Sequence, residues 1–379
     1  MKRGFIEGSY GSLYTPTQRK TFIEESIKNG FDFYMYAPKE DVKHRHAWDL
    51  PYTQPELKHL EACAWLLQKQ EKSFILGLSP LRLANQSAQD WLKALKIKIR
   101  QLESVHPSSL ILLFDDIPLP QGAPATKGVE LAQLHIQALQ FSSIPTQICV
   151  PFYCAIPWQK QDLANIYWNE LASVLPSTTT FWWTGSHVVS NSLDWDSLPK
   201  ILTSTRGSLG FWDNRYARDF APNRLFLGHY PRLNKNFSSR TDFLGINITG
   251  LYELDVLLIE LSQVYNSKGA RALYQKWNLP PSLNKVMPWL NTAWKSPTLP
   301  LSLSQIEMLI HLCWKASFED QYPLRTLFFS ALQSLRTELM MYREKVFGIP
   351  FPNGEFKLSL LQKQFLSTPK INSDFSEAV

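Results

Sequence analysis

Leu110-Ile111-Leu112-Leu113-Phe114-Asp115-Asp116-Ile117-Pro118 is the stretch on which the fold of this chain turns. An unbroken apolar run rich in Leu and Ile reads as a strand covered on both faces, and Pro118 stops it. Two adjacent carboxylates stand where that strand ends. In parallel α/β sheets and barrels, the carboxyl ends of strands are where chemistry collects. Two neighbouring acids also resist ionising together, so one tends to keep its proton near neutrality. A charged group beside a proton donor is what cleavage of an acetal requires. The same pair can also cap the next helix or stay solvated, and this stretch leaves both readings open.

Outward from it, strands and helices alternate. Upstream, residues 4–10, 31–36 and 73–78 read as strands; downstream, 148–153, 181–183, 209–212 and 243–248 continue the series. Helical spacing falls between them over about 15–29, 56–70 (Leu60, Cys63, Ala64, Leu67) and 91–102, and again over 254–265. About eight strand-helix units in about 265 residues match the rhythm of a (β/α)8 TIM barrel, class α/β. An open doubly wound sheet is the alternative, but no glycine-rich fingerprint opens any of these helices. The barrel is therefore expected over 1–265.

Beyond Asn266 only helices are expected, over 266–350. Ser304 with Glu307 reads as a capping box, followed by an apolar face of Ile306, Leu309, Ile310, Cys313 and Trp314. Leu324, Leu327, Phe328, Leu332, Leu335 and Leu339 trace another, closed by Gly348 and Pro350. Such stripes need covering by each other, the barrel or a second subunit, which makes a homodimer through these helices an expectation. The tail, 351–379, is expected to be partly disordered.

With 44% of its 379 residues hydrophobic, the chain can build one large domain with an appendage. Thirteen Trp suit a sugar cleft, although large core side chains are the commoner use. Net charge is 39 − 33 = +6, spread without a basic block, so nucleic acid is not an expected partner. Cys63, Cys149, Cys154 and Cys313 lack metal-type spacing and read as free thiols in a reducing compartment. The run Lys43-His44-Arg45-His46 has no acid-rich partner set and reads as a solvated loop, not a metal site. The basic start Met1-Lys2-Arg3 meets Glu7 and Gly8 at once, with no apolar signal region and no membrane span anywhere, so a cytoplasmic location is expected.

A barrel would bring its strand ends to one face: Gly8 and Tyr10; Lys39; Asp115 and Asp116; Tyr153; Trp183-Thr184-Gly185; Trp212-Asp213-Asn214 with Asp219. Together they suit a polar cup for a sugar. Alone, Lys39 would more often be a surface lysine and Tyr153 a core aromatic. Of Trp182 and Trp183, one should face the core and the other outward or to the helices.

Several segments resemble glycoside hydrolase family 84, the protein O-GlcNAcases and bacterial β-N-acetylglucosaminidases. They are Gly4-Phe-Ile-Glu-Gly-Ser-Tyr-Gly11, Tyr36-Ala-Pro-Lys-Glu-Asp41 with Arg45 and Trp48, and Phe114-Asp-Asp-Ile117. Trp183-Thr-Gly185 with Val188, Trp212-Asp-Asn214 with Asp219, and Leu225-Phe-Leu-Gly-His-Tyr230 follow in matching order. The resemblance implies a retaining mechanism in which the sugar's own 2-acetamido oxygen attacks the anomeric carbon and forms an oxazoline. It implies that Asp115 polarises the acetamido N–H, that Asp116 is general acid and then general base, and that Tyr153 holds the acetamido oxygen. It assigns Gly8 and Lys39 to the hydroxyl and acetamido region, Asn214 to the acetamido group, Asp219 to hydroxyls, Trp212 to the pocket wall and Thr184 to its border. Tyr10 and Val188 join the same substrate-binding set.

Two departures stand out. The family usually ends strand eight with Asn-Pro; here the register places Thr249-Gly250 there, with Asn247 two residues earlier on the same face. Leu13-Tyr14 stands where Pro-Trp is frequent. The expectation is an exo-acting β-N-acetylglucosaminidase on a GlcNAc-bearing protein or glycan, with terminal GlcNAc on protein serine or threonine as the favoured substrate, without metal or organic cofactor. The alternatives are a non-catalytic glycan- or protein-binding barrel, or a hexosaminidase acting on hyaluronan or cell-wall fragments.

Overall fold

The computed structural model of the chain describes residues 1–11, 13–81, 87–117, 123–155, 161–174, 179–200, 207–231, 233, 235–290 and 300–349. Eight parallel strands close into a barrel in sequence order. They are β1 (Lys2–Glu7), β2 (Phe33–Tyr36), β3 (Ser73–Leu78), β4 (Ser109–Leu113), β5 (Thr146–Cys149), β6 (Thr180–Trp183), β7 (Ser208–Asp213) and β8 (Phe243–Asn247). The ring is completed by β1 beside β8, in register from Lys2 opposite Phe243 to Ile6 opposite Asn247. The expected TIM barrel is thus the observed one. Some ladders stop earlier than the apolar runs suggest: β1 ends at Glu7 and β5 at Cys149. The residues beyond them turn over the mouth of the barrel, and hydrophobicity does not register where hydrogen bonding between strands stops.

Each strand sends alternate side chains to two apolar layers. Ile6, Met35, Ile75, Ile111, Leu113 and Trp182 fill the interior. Phe5, Tyr34, Phe74, Leu112, Trp183 and Ile246 pack outward against the helices. The expected split of Trp182 and Trp183 is therefore seen. Trp182 donates its indole N–H to Gln147 Oε1 at 2.6 Å. A Cβ on Gly210 would lie 2.8 Å from that indole, so glycine is what lets β7 pass it.

The outer ring comprises α1 (Pro16–Lys28), α2 (Gln54–Gln68), α3 (Ala88–Glu103), α4 (Pro124–Leu139), α5 (Gln161–Val174), the short α6 (Lys235–Arg240) and α7 (Tyr252–Leu261). Local signals set their starts. Thr15 and Thr53 form capping boxes with Gln18 and Glu56, each with Pro in the first turn. Part of the β6–β7 connection lies outside the described residues.

The helical end runs through α8 (Ser267–Lys276), α9 (Pro281–Val286), α10 (Leu303–Trp314) and α11 (Arg325–Phe347). Gly348 closes α11 in the left-handed region at φ +66. The expected capping box at Ser304 and Glu307 is corrected: Ser302 and Gln305 cap α10. The same Ser-x-x-Gln/Glu pattern occurs twice, and the upstream copy wins by placing Leu301 before the cap and Ile306 inside it, both buried, as a hydrophobic staple does. This region is fastened to the barrel side by Leu227 N–H on Leu290 O at 2.6 Å and Tyr274 O–H on Leu227 O at 2.7 Å. The tail expected over 351–379, with Pro350, lies outside the described residues. Among the described residues no helix is long and apolar enough to cross a membrane. All four cysteines are buried free thiols.

Two buried histidines give stability a pH dependence. His135 lies flat on Phe114, 3.6 Å between ring centres, with Nδ1 2.8 Å from Tyr167 Oη. His44, from the run expected to be a solvated loop, is instead buried with Nδ1 3.1 Å from Gly77 O. Burial pulls both down to about 3, with Lys39 adding to the effect on His44. In an unfolded chain they titrate near ~6.5. Between these values the unfolded state takes up protons that the fold refuses. Stability is therefore intact above the unfolded value and falls as pH drops toward the folded one. The slope is on the order of 1.4 kcal/mol per pH unit and histidine. Urea midpoints should fall between pH 7 and pH 5, and His135→Phe should flatten part of that fall.

Candidate active site

Asp115 and Asp116 follow β4 in a turn over the carboxyl end of the barrel, as their position after an apolar run predicts. Asp115 points into the barrel mouth and is buried. Its Oδ2 accepts from Lys39 Nζ at 2.6 Å, while its Oδ1 is buried without a hydrogen-bond partner. Lys39 is itself 3% exposed. Burial works against its ammonium, but Asp115 and then Asp116 outweigh it, and the pKa is raised. Lys39 is a fixed positive charge at neutral pH.

Asp116 takes the opposite posture. It is exposed, and its backbone sits in the left-handed region at φ +52, which Asp tolerates better than most residues. Tyr153 donates to its Oδ1 at 2.8 Å and Tyr10 to its Oδ2 at 3.2 Å. Burial pushes Tyr10 up to about 12, with Lys39 and Arg45 pulling against Asp116 and Asp115. Tyr153 is raised well above its usual value, again by burial first and then by Asp116. Both phenols are hydrogen-bond donors across the ordinary pH range.

The far wall is a relay of amides. Gly8 N–H donates to Asn247 Oδ1 at 3.2 Å, and Asn247 Nδ2 donates to Asn214 Oδ1 at 2.9 Å. Trp212 Nε1 donates to the same oxygen at 2.9 Å, and Asn214 Nδ2 donates to Val188 O at 2.8 Å. The ends of β1, β8 and β7 and the loop after β6 are thereby stitched together. A Cβ on Gly8 would lie 2.6 Å from the Trp212 ring and 3.0 Å from Asn247 Oδ1, so glycine is required at that crossing. Asp219 closes the rim, accepting from Tyr10 N–H at 3.4 Å and Phe220 N–H at 3.0 Å. The result is a polar cluster at the carboxyl ends of the strands, with a buried charged pair on one side and an exposed carboxylate on the other.

Residues 3–256 match the family described as beta-N-acetylglucosaminidase. The chain belongs to that family of glycoside hydrolases. The protein O-GlcNAcases of Rattus norvegicus and Mus musculus are each 30% identical to it over 235 residues, 60% of this chain and 26% of theirs. The chain thus spans about a quarter of the length of these relatives. Among solved structures, a Thermobaculum terrenum O-GlcNAc hydrolase mutant superposes with TM-score 0.69 at 20% identity, covering 90% of this chain and 81% of that one. CpGH84B does so with TM-score 0.60 at 19% identity, covering 92% and 63%. At that identity the likeness is one of fold.

Within this β-N-acetylglucosaminidase barrel, Thr249, expected among the substrate-binding residues at the end of strand eight, is engaged with Asp255. Its N–H and hydroxyl donate to Asp255 Oδ1 at 2.8 and 2.7 Å, and Gly250 N–H and Tyr14 O–H donate to Asp255 Oδ2 at 2.9 and 2.6 Å. Burial pushes Asp255 up to about 7 while those four bonds pull it down. Of the two strand-eight candidates, Asn247 is the one that joins the amide relay, through Asn214. Thr184 is likewise occupied, donating its hydroxyl to His187 O at 2.8 Å, and it shapes the loop that carries Val188. Asn247→Ala should raise KM for any ligand of the cup. Thr249→Val should leave KM unchanged and cost roughly 1–3 kcal/mol of stability, because a buried carboxylate loses a donor.

Sequence reasoning missed Asp255, which has no motif of its own. The Leu13-Tyr14 departure was the available signal, and Asp255 is what Tyr14 answers to. Other quoted motif residues prove to be supports. Tyr230 donates to Asp213 Oδ2 at 2.6 Å, and Glu7 pairs with Arg19 at 2.7 Å between β1 and α1. Trp48 donates to Leu81 O at 2.6 Å.

Proposed function

We propose that this chain is a retaining exo-β-N-acetylglucosaminidase that removes terminal β-linked GlcNAc with the substrate's own acetamido group as nucleophile, and that GlcNAc on protein serine or threonine is its favoured substrate. The observation that carries this is the contrast between Asp115 and Asp116: one buried on Lys39 with an unpartnered oxygen, the other exposed at the lip. Carboxylates from adjacent residues on one strand end are poorly placed to flank both faces of a sugar, as a carboxylate nucleophile and its acid must. They suit a division of labour on one side of the ring.

In that reaction Asp115 Oδ1 accepts the acetamido N–H and offsets the positive charge that develops as the acetamido oxygen bonds to C1. The C1–O bond to the aglycone breaks as Asp116 protonates the departing oxygen. Asp116 then takes a proton from water as that water attacks C1 and reopens the oxazoline, restoring the β configuration. Tyr153 is hydrogen-bonded to Asp116 at 2.8 Å. Passing that bond to the acetamido oxygen would align the nucleophile and release one Asp116 oxygen to carry the acid proton. Gly8, Lys39, Asn214, Asn247 and Asp219 would grip the sugar's polar groups, with Trp212 as the wall. The protein substrate is favoured by the relatives' being protein O-GlcNAcases.

The test compares aryl β-GlcNAc with its GalNAc and glucose counterparts, then a GlcNAc-peptide with hyaluronan and cell-wall fragments. Cleavage that requires the acetamido group and prefers the peptide supports both parts. Preference for the oligosaccharides would move the substrate, and binding without turnover would make the barrel a lectin-like module. A homodimer through the helical end is the accompanying proposal, because Trp314, Phe318 and Phe329 are exposed there in mutual contact. Light scattering that finds only monomer would remove it.

A further inference from the structure

Arg45 belongs to the loop after β2 and is 6% exposed, a costly place for a guanidinium. Its surroundings are specific. Nη2 donates to the backbone carbonyl of Asp116 at 3.2 Å, and Nη1 to Ser79 Oγ at 3.3 Å. The guanidinium carbon stands 5.7 Å from the centre of the Tyr10 ring, within range of a cation–π contact. Ser79 is itself fully buried, and its N–H holds His44 O at 2.9 Å, so the end of β3 fixes the loop that carries the arginine. No carboxylate pairs with Arg45 among the described residues. Its charge is spent on a carbonyl, a hydroxyl and a ring.

That carbonyl belongs to the one non-glycine residue with positive φ at the carboxyl ends of the strands among the described residues. A left-handed backbone at a non-glycine residue costs on the order of 1–2 kcal/mol and persists only where its surroundings hold it. A charge-assisted bond from a rigid, planar donor is such a hold. From the same guanidinium, the ring of Tyr10 is supported below while its hydroxyl reaches Asp116 Oδ2. We propose that Arg45 is a positioning residue for Asp116: braced on Ser79, it fixes the left-handed turn and the Tyr10 ring, and so aims the acid carboxyl at the leaving-group oxygen. This rests on Asp116 being the acid/base of the proposed reaction. The role differs from charge tuning, because the bond is to the peptide carbonyl and demands reach as well as charge.

The test is leaving-group dependence in Arg45→Met and Arg45→Lys variants of the 379-residue chain. For a GlcNAc-peptide, whose departing oxygen needs its proton, kcat should fall roughly 10- to 100-fold with KM within about threefold. For an aryl glycoside with an acidic phenol the loss in kcat/KM, which reports the first step, should stay within about fivefold, because that phenolate leaves with little protonation. Arg45→Lys keeps the charge but lacks the fork to reach Ser79 and Asp116 together, so it should behave like Arg45→Met. In an Asp116→Asn background, Arg45→Met should add little, since the group being aimed is gone. Equal losses on both substrates, full recovery with lysine, or additive losses in the double variant would each overturn the positioning role while leaving Asp116 as the acid. Wild-type protein that fails to turn over either substrate would overturn the acid assignment first, and this proposal with it.

Discussion

Asp116→Asn is expected to lower kcat on a GlcNAc-peptide by roughly 10²- to 10⁴-fold, the usual yield of general acid catalysis, and to spare kcat/KM on activated aryl glycosides. The asparagine keeps the shape of the side chain and can still accept from one of Tyr10 and Tyr153. It cannot deliver a proton to an alkoxide. A serine or threonine alkoxide is a very poor leaving group, whereas an acidic phenolate departs almost unaided. The first step on an aryl substrate should therefore survive and the second, which needs a base for water, should become limiting. Steady-state kcat on the aryl substrate then falls together with KM, and a burst of phenol precedes it. Equal loss on both substrate types, without a burst, would remove Asp116 from the acid role.

Lys39→Met is the second large effect, and it acts on stability as well as rate. The Lys39–Asp115 pair is almost wholly out of water, with side chains 3% and 11% exposed. Removing the lysine strands a carboxylate that already has one buried oxygen without a partner. Breaking a buried pair from one side costs about 3–5 kcal/mol, because the remaining charge is left uncompensated. Adding Asp115→Asn should return most of that stability, since the stranded charge is gone. It should return none of the activity, because the amide is a weaker acceptor for the acetamido N–H and cannot offset a positive ring. A double-mutant cycle on urea midpoints and on kcat/KM would show strong coupling in the first and little rescue in the second. Weak coupling in stability would mean that water already reaches the pair.

The barrel was legible because buried parallel strands advertise themselves. Runs such as Leu110–Phe114 are apolar on both faces, and their spacing by helical patterns admits few architectures. The cup was legible in part for a related reason: a residue just past a strand must lie at the mouth, so Asp115, Asp116, Lys39 and Asn214 could be placed by counting. Counting failed where side-chain direction beyond the ladder decides. Thr249 and Asn247 share a strand end, yet one turns to Asp255 and the other to Asn214. Arg45 was visible in a motif but had no readable task, since its partner is a peptide carbonyl 71 positions away. A backbone acceptor leaves no trace in residue identity. The same holds for His44, whose polar neighbours suggested solvent and whose ring is enclosed by the ends of β2 and β3.

The amide relay from Gly8 to Asn247 joins positions 239 residues apart. It is also the seam where the first strand meets the last. A ribosome making this chain from its amino end therefore cannot assemble this side of the candidate site while the barrel is being made, because the closing amide emerges after every other strand. Nascent chains stopped before residue 247 should carry the acid pair and yet hold no ligand. Activity regained during refolding would accordingly report the closing of the barrel through contacts of very long sequence separation, and no earlier event.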